Sequence, residues 1–141
     1  MTNASPPEVG DVLSFWYLWR REHEAGEESG RKARPCVVVV AVARGPKVTR
    51  IAVAPITHMP PMSDQIAVEL PSIVKGHLRL DSQASWVVCS ELNEFNWPGY
   101  DLAKLAGRLL VGRLPHRVLQ RVRHGVHEAL RRQQLKITSR D

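Results

Sequence analysis

Apolar residues occur in two distinct rhythms along this chain. From Val12 to Trp19 (VLSFWYLW) odd and even positions are both apolar, and β-branched and aromatic residues dominate. That pattern predicts a strand with both faces covered. Arg20 to Lys32 is charged, holds two glycines and shows no period, so a long loop is expected. Arg34-Pro35 closes it, and Cys36 to Ala43 (CVVVVAVA) reads as a central strand. Arg44-Gly45-Pro46-Lys47 is a turn signal, so Val48 to Ile56 is expected to pair back as a hairpin. Pro60-Pro61 breaks the stretch from Thr57 to Asp64. Ile66, Val68 and Leu70 alternate, Lys75-Gly76 suggests a turn, and Trp86 to Leu92 predicts another strand. Asn96 to Tyr100 (NWPGY) is punctuation, and Leu102 to Val111 fits a short helix or a strand. The second rhythm starts at Leu114. Val118, Leu119, Val122, Val126, Ala129 and Leu130 follow at helical steps, with Arg117, Arg121, His124, Glu128 and Arg131 opposite and Pro115 in the first turn.

About five strands with short connections and a terminal helix predict a mainly β fold with α, the strands mostly antiparallel. The expected architecture is a small bent sheet or barrel with a packed C-terminal amphipathic helix. One domain over 10–135 is expected, with a disordered leader at 1–9 and a tail at 136–141.

Composition excludes several classes. With 43% hydrophobic and 24% charged residues in 141, this is not a disordered chain. No apolar run approaches the roughly 18 residues of a membrane span. The first residues, Met1 to Glu8, lack the basic and apolar regions of a secretion signal. Cys36 and Cys89 sit in apolar runs and form no CxxC pair, which suits reduced thiols and a cytoplasmic setting. The net charge is +6, but residues 1–111 hold 12 basic and 12 acidic groups, whereas residues 112–141 hold 8 and 2. The excess is therefore local, and it points to an anionic partner near the last helix.

The chain has no GxGxxG, GxxxxGK[ST] or HExxH motif. His124 and His127 are three apart but lack a third donor at ligand spacing, so no metal or cofactor is expected. One arrangement carries more chemistry. A hairpin centred on residues 44–47 brings Arg34 and Thr57 to the same far end. A guanidinium binds phosphate bidentately and stabilises charge developing on it, and a hydroxyl can donate to another phosphate oxygen. Arg20, Arg21, Arg31 and Lys32 form a local basic cluster around the loop, and Trp16, Trp19, Trp86 and Trp97 could stack bases or pack the core.

Several segments in order resemble the PemK/MazF family of growth-inhibiting toxins. They are Gly10-Asp11-Val12 before the first strand, Arg34-Pro35 running into Val37 to Val40, and Pro55-Ile56-Thr57. Ser85 to Val88 leading to Ser90-Glu91, and Val111-Gly112-Arg113-Leu114, complete the series over roughly residues 9–132. The resemblance implies an SH3-like β-barrel, a homodimer, and a metal-independent endoribonuclease acting on single-stranded RNA by 2′-hydroxyl attack. It also implies a cognate antitoxin with an acidic segment that occupies the RNA groove. On the matching positions Arg34 is the acid or phosphate stabiliser and Thr57 holds the scissile phosphate. Where family members can carry an arginine and an aspartate, this chain has Val88 and Ser90. The general base is thus open among Glu91, His58, Glu28 and His77. The alternative is a non-catalytic inhibitor or binding module on the same barrel, as in the topoisomerase-binding CcdB fold.

Overall fold

The computed structural model of the chain describes residues 6–28, 30, 32–97 and 110–140. Arg31, the Pro98–Tyr100 end of the predicted turn and nearly all of the Leu102–Val111 segment lie outside them. Eight strands and three helices follow in order among the described residues: β1 (Asp11–Phe15), α1 (Arg20–Glu24), β2 (Arg34–Ala43), β3 (Thr49–Thr57), β4 (Ala67–Glu69), α2 (Ser72–His77), β5 (Trp86–Val88), β6 (Glu91–Trp97), β7 (Leu110–Arg113), α3 (His116–Arg131) and β8 (Lys136–Ser139). The sheet runs β4-β5-β3-β2-β1-β7, with β6 on β3 and β8 on β6. Among the described residues it is mainly antiparallel and not closed, and the β6–β8 pair is parallel.

The β2–β3 hairpin forms as the turn signal predicts. Ala43 faces Thr49, and the pairing runs back to Cys36 opposite Pro55, with one bulge between Val38 and Val40. Continuing that register sets Arg34 against Thr57. Both faces of the central strands are buried, which is why their sequences do not alternate. Val12, Val37, Ala52, Ala54 and Ile56 join an aliphatic core closed by Leu78 of the α2 end and by Leu114, Val118 and Val122. Leu13, Phe15, Cys36, Val38, Ile51 and Val53 point the other way, into an aromatic core with Tyr17, Trp19, Phe95 and Trp97. Phe15 and Phe95 stack with centroids 4.9 Å apart. Each fully buried aliphatic side chain contributes roughly 1.5–3 kcal/mol, so these two layers dominate stability.

Several expectations need correction. The predicted loop after Trp19 begins with α1, a helix too short to show a period, whose Glu22 accepts a hydrogen bond from the Trp19 N–H at 3.1 Å. Gly30 in that segment packs against backbone: a Cβ there would meet the Tyr17 carbonyl oxygen at 2.3 Å, so only glycine fits. Lys75-Gly76 is not a turn but part of α2. The strand expected over Trp86 to Leu92 is two strands, β5 and β6, along the same edge of β3. Val53 faces Asn93 and Ile56 faces Val87, so three steps on β3 correspond to six on its partner. The extra residues bulge at Cys89 and Ser90. They are held there by the Cys89 N–H on the Ile66 carbonyl and by Ser90 Oγ accepting from the Ile66 N–H. The segment read as a tail is strand β8, paired from Glu91↔Lys136 to Glu94↔Ser139.

The terminal helix matches its pattern closely. Val118, Val122 and Ala129 are buried, but Leu130 is exposed rather than inward. Gly125 is buried too, and a Cβ there would lie 2.8 Å from Cys89 Sγ. The helix is therefore seated directly on the β5–β6 bulge.

Candidate active-site cleft

A cleft of about 620 Å³ opens where the β2–β3 hairpin ends. Its lining includes Trp19, Arg21, Lys32 and Arg34 on one part, and Thr57, His58, Met59, Met62, Asp81 and Ser85 on another. Three of the residues expected to act together, Arg34, Thr57 and His58, thus share one cavity. The cause is the hairpin register: Arg34 opens β2 and Thr57 closes β3.

Arg34 is half-buried. Its guanidinium lies over the Trp19 ring, 5.1 Å from the centroid, and Arg21 lies 5.0 Å from the same ring. Buried Nε of Arg34 has no hydrogen-bond partner, and the side chain makes no ion pair among the described residues. Burial, above all, pulls its pKa below the ordinary arginine value, while neighbouring Cys36 and Glu22 act in the opposite sense. The group remains a cation. It is a cation with stacking support and unspent donors.

Thr57 is 8% exposed. Its Oγ1 accepts from the Met59 N–H at 3.1 Å, a local turn that leaves the hydroxyl proton free to donate. His58 is held by three groups. Its Nε2 lies 2.9 Å from Asp81 Oδ2, and its Nδ1 lies 3.0 Å from the Ala84 carbonyl and 3.2 Å from Ser85 Oγ. Asp81 lies in a polar loop with no motif, so nothing local in the sequence marked it; Ser85 opens a segment of the family resemblance, but nothing there tied it to His58.

Other candidates sit elsewhere. Glu91 does not line the cleft; it accepts from the Tyr17 hydroxyl at 2.9 Å and from the Arg20 N–H at 3.0 Å. Burial raises its carboxyl pKa, and those two hydrogen bonds pull it back. Glu28 and His77 are exposed and outside the cleft. Of the basic cluster around the loop, expected to meet RNA, Arg21 and Lys32 line the cleft. Arg20 instead pairs with Glu24 and donates to the Ile137 carbonyl of β8. Arg31 lies outside the described residues. Trp19 lies beneath two guanidiniums, Trp97 is buried in the aromatic core, Trp86 is half-buried, and Trp16 is 36% exposed.

The segment from Trp16 to Arg20 needs firm support, because Trp19 carries Arg34. Asn93 supplies it, accepting from the Leu18 N–H and donating to the Leu18 carbonyl, both at 2.8 Å. Arg140 donates to the Trp16 carbonyl at 2.6 Å and to Asn93 Oδ1 at 3.2 Å. Strand β8, which carries the chain to Arg140, is thus part of the scaffold behind the cleft.

Both thiols are buried, and burial pushes Cys89 up to about 12 and Cys36 higher still, so neither is a nucleophile. Among the described residues no group of three or more His, Cys, Asp or Glu side chains is placed to hold a metal ion. No helix among them is long and apolar enough to cross a membrane. In sequence the chain matches no protein-family model and no curated protein.

Proposed function

We propose that the protein is an endoribonuclease that cleaves single-stranded RNA without a metal ion, the toxin of a toxin–antitoxin pair. The observation that carries this reading is the meeting of Arg34 and Thr57 in one cleft. Attack by a ribose 2′-hydroxyl on the neighbouring phosphate puts extra charge on the phosphoryl oxygens. A half-buried guanidinium with unpaired donors is suited to that charge, and it acts more strongly there than on the ground state. The Thr57 hydroxyl is suited to fix a second phosphoryl oxygen. Arg21 and Lys32 can follow the phosphate backbone, and exposed Met59 and Met62 offer apolar contact to bases.

The ordered resemblance to the PemK/MazF family supports the same reading. It also carries the finer parts: a barrel of SH3 type, a homodimer, an acidic antitoxin and a cytoplasmic setting. The two cores within the chain cover both faces of β1, Val12 in the aliphatic one and Leu13 and Phe15 in the aromatic one, so the homodimer rests on the resemblance alone. The test is an RNA cleavage assay in excess chelator with wild type, Arg34→Ala and Thr57→Ala, analysing product ends. Cyclic phosphate ends from wild type and their loss in Arg34→Ala are expected. Equal activity in wild type and Arg34→Ala sinks the assignment. A wild type inactive on every RNA leaves the non-catalytic binding module.

A further inference from the structure

We propose that His58 donates the proton to the leaving 5′-oxygen in that reaction, with Asp81 as its positioning residue and Ser85 as its exchange partner. The inference rests on the endoribonuclease reading and names the acid that reading leaves open.

The argument is one of hydrogen-bond satisfaction in two protonation states. A carboxylate only accepts, so His58 Nε2, 2.9 Å from Asp81 Oδ2, carries a proton in both states of the ring. Nδ1 meets two different partners. The Ala84 carbonyl at 3.0 Å accepts from Nδ1–H in the charged ring. The Ser85 hydroxyl at 3.2 Å can donate to the bare Nδ1 of the neutral ring. Ser85 Oγ has a second acceptor in the Gln83 carbonyl at 3.3 Å, so it can turn away when Nδ1 is protonated. The Nδ1 proton can therefore leave and return without stranding either nitrogen, which is what a proton-transfer group requires.

The holder is itself fixed. Asp81 Oδ1 accepts from the Gln83 N–H at 3.1 Å, and the buried ammonium of Lys75 on α2 donates to the Gln83 carbonyl. The Ser85 carbonyl accepts from the Leu70 N–H at 2.9 Å. The His58 side chain is 46% exposed and lines the cleft with Arg34 and Thr57; for the transfer the leaving oxygen takes the place of the Ala84 carbonyl at Nδ1. Among the described residues the charged groups sharing that cleft are Asp81, Arg21, Lys32 and Arg34.

The step balances as follows. The 2′-oxygen forms a bond to phosphorus and its proton passes to water. The bond from phosphorus to the 5′-oxygen breaks, and that oxygen takes the Nδ1 proton. Water then reprotonates His58. The products are a 2′,3′-cyclic phosphate and a 5′-hydroxyl.

A leaving-group comparison tests this. Two dinucleotides are used, one with the natural 5′-oxygen and one with 5′-sulfur at the scissile bond; a thiolate departs without a proton. Wild type, His58→Gln and Asp81→Asn are compared at a temperature where their melts coincide. His58→Gln is expected to slow the oxygen substrate by about a hundredfold or more, the usual contribution of a general acid, and the sulfur substrate by less than about fivefold. Asp81→Asn keeps the ring but removes the carboxylate that fixes it, so kcat on the oxygen substrate is expected to fall about tenfold, with KM and the rate on the sulfur substrate changed by less than about threefold. If wild type cleaves and His58→Gln slows both substrates equally or neither, the acid role is overturned while the ribonuclease reading stands. If Asp81→Asn slows both substrates equally, or leaves kcat on the oxygen substrate unchanged, its positioning role is overturned. If wild type cleaves neither of these nor any longer RNA, the ribonuclease reading falls and this inference falls with it.

Discussion

Two sets of cations define this molecule, and they differ in what surrounds them. The C-terminal stretch holds the whole net charge, yet on α3 the side chains of Arg117, Arg121 and Arg123 stand exposed in water. Arg131 and Arg132 both pair with the one carboxylate of Glu128, at 2.5 and 2.6 Å. The cleft, in a region with no net charge, holds Arg34, half-buried, stacked on Trp19 and with a buried donor left unpaired. Hydrated or paired charges are screened, and moving them costs little. A partly desolvated cation with free donors interacts strongly with charge brought to it. Counting charges locates the helix; burial and missing partners locate the cleft.

The largest effect should come from crossing these two sets. Arg34→Ala is expected to slow RNA cleavage about a hundred- to a thousandfold, roughly 3–4 kcal/mol of transition-state stabilisation. Lysine should restore only part, since it lacks the planar fork. Replacing Arg117, Arg121 and Arg123 together with alanine should change the rate by less than about threefold at physiological salt, where hydrated charges are screened. Steady-state cleavage with thermal melts alongside checks both, and a larger loss from the helix variant would break the comparison.

Arg140 sharpens it from a third side: it is a buried cation whose donors are used. Asn93→Ala removes its partner and both bonds to Leu18, leaving buried polar groups unsatisfied. A stability loss of about 2–3 kcal/mol is expected by urea denaturation. A loss under 0.5 kcal/mol, roughly the size of an ordinary surface change, would remove Asn93 as the support of the cleft's back wall.

Gly125 tests the inner face of α3. In an exposed helix Gly→Ala stabilises by up to about 1 kcal/mol. Here the new methyl meets Cys89 Sγ at 2.8 Å, so a loss of about 1–3 kcal/mol is expected instead. A raised melting temperature would show that the helix is not seated on the bulge.

The smallest effect concerns the paired cations. Arg131 and Arg132 hold the Glu128 carboxyl at about 2, below its ordinary 4.5. Its contribution is then fully present above pH 4.5 and is lost as pH falls toward 2. Glu128→Gln should flatten that part of an acid-unfolding curve followed by circular dichroism, and should leave cleavage at neutral pH unchanged. An unaltered acid slope would mean the ion triad contributes nothing.

Much of the frame was legible because its signals are local. The hairpin turn at Arg44 to Lys47, the doubly apolar runs of β1 and β2 and the helical steps from Val118 to Ala129 each follow from short-range pattern. Register then carried Arg34 to Thr57, since pairing arithmetic needs only a turn and two strands. What failed was either too short or too distant. α1 has five residues, fewer than two helical turns, and α2 has six. Parallel pairing of β8 with β6 joins segments about forty residues apart, and no local pattern encodes such a partner. Glu91 read as a possible base because a half-buried carboxylate cannot be told from a reactive one without its neighbours, here Tyr17 and Arg20.

The amino-acid sequence alone determined the strand-rich class, the terminal helix and its basic face, and the meeting of Arg34 with Thr57, since each depends on residues within one element or one hairpin. Tertiary structure alone decided that Asp81 and Ser85 reach His58, that Trp19 lies under Arg34, and that Asn93 and Arg140 hold Trp19's segment in place. Those contacts join residues up to 124 positions apart. Each is selected by burial, which strands a polar group unless a partner arrives from elsewhere in the chain.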